Sequence, residues 1–244
     1  FRGTKRAHED SSSKLIVISD DRLAEIDAKW HRHPINLLRS PPASGKTTLA
    51  RKLKLYLERQ GYTVILISLA LWNEKQYPNL LYDRNVFDQF WIQHSSIKWE
   101  DCKACTSPTT VIIDEAQTLY AGASTFWDDL KGLIDHPNSN LRVLLLSMYE
   151  DRYNQRSKTP IDFIDALGLE DLRLTVPEFK EVVDNYLEYA LSEYDCDLSI
   201  TDTVRQAIFD STFGHPHLVR HTLEFLRDEY MRKVRDNDML RSLV

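Results

Sequence analysis

The stretch Ile35-Asn36-Leu37-Leu38-Arg39-Ser40-Pro41-Pro42-Ala43-Ser44-Gly45-Lys46-Thr47-Thr48 decides how the chain is read. An apolar run suited to a buried strand leads into a short loop of small residues, and the loop leads into a helix. The loop matches most of G-x-x-x-x-G-K-[ST], a spacing whose logic is anion capture. Its backbone N–H groups turn inward around phosphates, the lysine reaches the outer phosphates, and the hydroxyl ligates Mg²⁺. Ser40 stands where that pattern has its first glycine, a position that often needs the backbone freedom glycine has at least cost. Pro41 and Pro42 fix two φ angles and carry no N–H, which leaves Ala43, Ser44, Gly45, Lys46, Thr47 and Thr48 to supply the donors. Beyond them Leu49, Leu53, Tyr56 and Leu57 fall on one helical stripe, and Gly61 sits where a C-terminal cap belongs. The N-terminus of that helix aims its positive dipole end at the anion.

A second stretch, Thr110-Val111-Ile112-Ile113-Asp114-Glu115-Ala116-Gln117, reads as a buried strand ending in two carboxylates, a Walker B pattern. Ligands of a parallel α/β sheet sit beyond the carboxyl ends of its strands, so the two motifs are expected to meet. Asp114, with Thr47, is the expected Mg²⁺ ligand set, and Glu115, with Lys46, the expected catalytic pair that activates water and steadies the γ-phosphate. The bland alternative is a buried strand with a solvated acidic end.

The remaining chain supports an α/β nucleotide-binding fold. Its 244 residues suffice for one or two domains, and a net charge of −6 argues against a broad electrostatic footprint for nucleic acid. No apolar run approaches the roughly 20 residues that span a bilayer, so no membrane partner is expected. The chain opens on Phe1 rather than Met and reads as an excerpt of a longer polypeptide. Cys102, Cys105 and Cys196 are too few for a disulfide framework and suit a reducing compartment; the lone C-x-x-C would need two further ligands to bind zinc, with His94 and Cys196 as candidates, and a thiol pair on a loop is the plainer reading.

Residues 1–13 read as a flexible tail, 14–176 as a P-loop NTPase domain and 177–244 as a helical lid. Besides the strand before the loop, strands are expected at Thr63 to Leu69, Thr110 to Asp114, Leu141 to Ser147 and Leu172 to Val176, in a five-stranded, mainly parallel sheet. Pro177 then opens the first of three helices. The rings of Trp72, Tyr77, Tyr82, Phe87, Phe90, Trp91 and Trp99 suit either base stacking or packing of a peripheral helix, and the helical spacing of Val86, Phe90 and His94 favours packing.

These blocks resemble the STAND and AAA-type branch of P-loop ATPases, and within it the NTPase module of fungal and oomycete Crinkler effector proteins. The carrying residues are Leu38 to Thr47, Ile112 to Gln117 with Phe126-Trp127, Leu141 to Ser147, Asp171-Leu172-Arg173-Leu174-Thr175, and Gly214-His215-Pro216-His217-Leu218-Val219-Arg220. The resemblance implies strand order 5-1-4-3-2, with Ser147 as a sensor of the γ-phosphate and Pro216 packing on the adenine from a mobile lid. It offers Arg152 as a second sensor or an arginine finger reaching into a neighbouring subunit, beside the plainer reading of a solvated loop arginine. It also implies ATP or GTP with Mg²⁺, self-assembly, host protein or nucleic acid as further partners, and secretion into a host cell and its nucleus. Three functions follow: an NTPase switch, a nucleotide-dependent assembly module with little turnover, and a nucleic-acid-stimulated ATPase suggested by Asp114-Glu115-Ala116-Gln117.

Overall fold

The computed structural model describes residues 17–73, 75–80, 83–121, 125–148, 161–163 and 165–242. They divide into two compact units, Asp20–Asp171 and a second that joins the described residues before Asp20 to those from Leu172 onward. The expected domain boundary at Val176 lies a few residues beyond that division.

The first unit runs α1 (Asp20–Trp30), β1 (Ile35–Arg39), α2 (Lys46–Arg59), β2 (Thr63–Ser68), α3 (Arg84–Ser95), α4 (Trp99–Lys103), β3 (Thr109–Asp114), α5 (Thr125–Asp135) and β4 (Leu141–Ser147). The strands form a parallel sheet in the order β1-β4-β3-β2. β3 and β4 are buried at every residue, as expected of strands covered on both faces. Alternate residues Ile35, Leu37, Ile65, Ile67, Val111, Ile113, Val143 and Leu145 share one core with Phe87, Phe90, Trp91, Trp99, Phe126 and Trp127. The aromatic segment between β2 and β3 is therefore packing material; of its rings, Tyr82 lies outside the described residues. All five tryptophans of the chain fall in this unit.

Two groups of charges brace its periphery. Asp129 accepts from Lys103 Nζ at 2.8 Å, from Trp99 Nε1 at 2.8 Å and from Arg84. At the N-terminal end of β4, the buried Arg142 lies between the rings of Trp30 and Tyr62 and donates to Asp27 at 2.7 Å.

The expected fifth strand at Leu172 to Val176 is not a strand. Its place beside β1 is taken by a single parallel bridge between Leu38 and Leu167, with Arg39 N–H donating to the Leu167 carbonyl and Leu167 N–H to that of Leu37. A 3₁₀ turn at Leu169–Asp171 ends the pairing, and the Asp171 carboxylate accepts from Gly168 N–H. Among the described residues the sheet is thus four-stranded, and the order 5-1-4-3-2 holds only for its last four positions. Residues 172–176 instead lead into a helix, because Thr175 and Glu178 close a reciprocal capping box and Pro177 sits in the first turn, where its missing N–H costs nothing.

That helix, α6 (Val176–Tyr194), forms the second unit with α7 (Asp202–Thr212) and α8 (Pro216–Ser242). Phe179, Val182, Val183, Tyr186, Ile208, Val219 and Leu223 make its core. Gly214 precedes α8 at φ 67°, and a Cβ there would stand 2.6 Å from the Leu174 carbonyl oxygen. Among the described residues no helix is long and apolar enough to cross a membrane.

Candidate nucleotide site

Strand register sets the site. Arg39 pairs with Ser147 and Ser68 with Asp114, while β3 and β4 run in step through Ile113 and Leu145, so the carboxyl ends of all four strands share one rim. The loop from Ser40 to Gly45 leaves this rim, and α2 begins behind it. Gly45 is its N-cap at φ 98°, with no side-chain cap and no acidic residue in the first turn, so the helix N-terminus keeps its donors and its positive dipole end for a ligand.

Ser40 fits the loop for a reason the motif did not suggest. It is fully buried, its backbone lies outside the left-handed region, and its hydroxyl hydrogen-bonds that of the buried Ser44 at 2.5 Å. The conformational demand falls instead on Ala43, at φ 59°. Lys46 spans the loop, donating from Nζ to the carbonyls of Ser40 at 3.0 Å and Pro41 at 2.8 Å. Burial lowers its pKa, and the nearby charges of Glu115 and Asp114 pull it part of the way back.

Loop and acidic strand end meet directly: Thr47 Oγ1 donates to Asp114 Oδ2 at 2.7 Å. A hydroxyl and a carboxylate oxygen side by side suit a hard cation such as Mg²⁺, which takes one or two protein oxygens and fills its octahedron with phosphate and water oxygens. Glu115 follows at φ 60°, a strained conformation for a non-glycine residue. A cavity of about 240 Å³ is lined by Pro42, Ala43, Ser44, Gly45, Lys46, Thr47, Glu115 and Met148. The structure therefore gathers Lys46, Thr47, Glu115 and the loop residues around one volume, with Asp114 bonded to Thr47.

Ser147 is placed differently. It is buried at the end of β4, its hydroxyl donates to the Met148 carbonyl at 2.7 Å, and its own carbonyl accepts from Ser40 N–H. Met148, not Ser147, lines the cavity. Arg152 lies outside the described residues. Pro216 is the first residue of α8, in the second unit. Of the C-x-x-C pair, Cys102 is buried, its Sγ donates to the Lys98 carbonyl, and burial pushes its thiol up to about 11, while Cys105 is half-buried. Among the described residues no three His, Cys, Asp or Glu side chains are placed to hold a metal ion.

Sequence reasoning missed Gln117 and Met148. Gln117 donates to the Glu115 carboxylate and accepts from Met148 N–H at 3.2 Å. Gln117 was visible in the motif, but its second partner, Met148, lies just beyond the end of β4, which no local pattern announces.

Comparison with protein-family models and with curated proteins gives no match. Solved structures do resemble the chain. The Walker-type ATPase of Pyrococcus abyssi matches at TM-score 0.53 and 14% identity, over 100% of this chain and 77% of that one. The FIGL-1 AAA domain, solved with ADP, matches at TM-score 0.50 and 17% identity, over 96% of this chain and 72% of that one. RuvB of Thermotoga maritima is a weaker likeness, at TM-score 0.42 and 19% identity, in which 93% of this chain covers 62% of that one. The likeness is one of fold, an α/β parallel sheet flanked by helices, shared with that Walker-type ATPase and that AAA domain.

Proposed function

We propose that the chain is a Mg²⁺-dependent nucleoside triphosphatase acting on ATP or GTP. The observation that carries this reading is the Thr47–Asp114 hydrogen bond, which joins the phosphate loop to an acidic strand end 67 residues away. Backbone N–H groups from Ala43 to Thr48 and the start of α2 hold the phosphates. Lys46 exchanges the carbonyls of Ser40 and Pro41 for phosphate oxygens, its three donors matching that task. Thr47 and Asp114 would hold Mg²⁺, which would supply charge neutralisation at the phosphates. Glu115 orients a water for in-line attack on the γ-phosphorus and takes up its proton.

The finer readings rest on resemblance. A conformational switch in residues 177–244, Pro216 at the adenine, Ser147 and Arg152 as sensors, self-assembly, and action inside a host cell come from the Crinkler-like sequence blocks, on which the fold comparisons do not bear. A nucleotide-dependent assembly module with little turnover is favoured by one observation: the Ser147 hydroxyl is engaged by the Met148 carbonyl instead of facing the cavity.

One variant separates the two. For a triphosphatase, Glu115→Gln is expected to keep fluorescent-ATP affinity within threefold and lower phosphate release by roughly 100-fold or more. Wild-type protein that binds the nucleotide with Mg²⁺ but releases no phosphate would leave the assembly reading in its place.

A further inference from the structure

We infer that Gln117 is the positioning residue that aims the Glu115 carboxylate and ties it to the end of β4; the inference rests on the triphosphatase reading above. Gln117 is half-buried two residues beyond Glu115. Its side-chain nitrogen donates to Glu115 Oε2, and its side-chain oxygen accepts from Met148 N–H at 3.2 Å. The two ends of an amide look alike in shape, but here chemistry assigns them. A backbone N–H can only donate and a carboxylate only accept, so the oxygen faces Met148 and the NH₂ faces Glu115. Both groups that Gln117 joins line the same cavity.

The backbone around Glu115 is already pinned. Its N–H donates to Asp114 Oδ1 at 3.1 Å, and its carbonyl accepts the Thr118 N–H at 3.1 Å and the Thr118 hydroxyl at 2.9 Å. With the main chain held at φ 60°, the direction of the carboxylate is left to its side-chain torsions and to the amide that grips it. A water-activating group must stand within a few tenths of an ångström of its working position, and a misplacement of about 1 Å is worth on the order of a hundredfold in rate. Gln117 supplies that constraint. Because its other end is bonded to Met148, a shift of the main chain after Ser147 is passed to Glu115 through one side chain.

The test uses the whole chain in four variants: Gln117→Met, Gln117→Glu, Glu115→Gln and the Gln117→Met/Glu115→Gln pair. Gln117→Met keeps the size and removes both bonds; Gln117→Glu keeps the acceptor for Met148 N–H and sets a carboxylate against Glu115. Both single Gln117 variants are expected to lower kcat by roughly tenfold to a hundredfold while the Kd for a fluorescent ATP analogue with Mg²⁺ stays within threefold. The pair is expected to match Glu115→Gln alone within twofold, since a positioning residue has nothing to act on once its target is disabled. Wild-type kcat in Gln117→Met, losses that multiply in the pair, or affinity falling in step with kcat would overturn the assignment while leaving the triphosphatase reading intact. Wild-type protein without turnover would remove that reading, and this inference with it.

Discussion

Ala43 and Gly214 turn the backbone through nearly the same left-handed angle, φ 59° and 67°, and meet opposite surroundings. Ala43 is exposed and its methyl lines the cavity of the phosphate loop. Gly214 is buried, its carbonyl accepts Leu174 N–H at 2.8 Å, and any Cβ would run into the Leu174 carbonyl. The first turn is shaped around a volume that something else must fill. The second is already filled by its own chain. A left-handed residue therefore costs the phosphate loop a little conformational energy, on the order of 1 kcal/mol, whereas at residue 214 only glycine fits at all.

Gly214→Ala is the strongest way to break this contrast. The methyl has to displace a main-chain carbonyl, so the helical unit is expected to lose about 3 kcal/mol, read as a fall in the far-ultraviolet melting temperature. An unchanged melting curve would mean that the turn has room after all. Lys46→Ala sharpens the other side of the comparison. Affinity for a fluorescent ATP analogue with Mg²⁺ is expected to fall about 100-fold, equivalent to about 2.7 kcal/mol, with little change in stability, because relief of a buried charge offsets two lost carbonyl bonds. In the wild type, burial lowers the Lys46 pKa, so affinity is expected to fade on the alkaline side at a pH below that of an ordinary lysine.

Asp129→Asn supplies a control that touches neither turn. Burial alone would raise the Asp129 carboxyl, but hydrogen bonds from Lys103, Arg84 and Trp99 outweigh it and hold the group below its ordinary 3.8. The unfolded chain then takes up the proton first, so the contribution is complete above that ordinary value and is lost as pH falls through the lower folded one. The variant is expected to cost about 2 kcal/mol at neutral pH, and its gap from wild type in pH-dependent melts should close below about pH 4. Ala43→Gly should have the smallest effect. Relief of about 1 kcal/mol of left-handed strain is set against about the same entropy gained by the unfolded chain, leaving a net change under about 0.5 kcal/mol and affinity within threefold. A larger loss of affinity would show that the methyl itself touches the ligand.

Much of this arrangement was legible because it is written locally. β1, β2, β3 and β4 are short, mainly apolar runs, and Lys46-Thr47 and Asp114-Glu115 carry their chemistry in adjacent residues. What failed to read was set by side-chain hydrogen bonds that apolar patterning does not register. Residues 172–176 have the apolar content of a strand, but Thr175 with Glu178 makes a helix start, a T-x-x-E signal that was present and outvoted by hydrophobicity. Ser40 read as a defect because its partner Ser44 acts through a side chain rather than through backbone freedom. The resemblance offered Ser147 as a sensor; in the structure its hydroxyl donates to the Met148 carbonyl, and Met148 lines the cavity.

The confinement of every indole to Asp20–Asp171 has a practical outcome for anyone watching the molecule melt. Tryptophan emission is a colour channel for the sheet-bearing unit alone, blind to the helices described in the other unit, while circular dichroism registers both. Superimposed traces from the two signals would report one cooperative transition, and separated traces two independent ones, without a single label being attached.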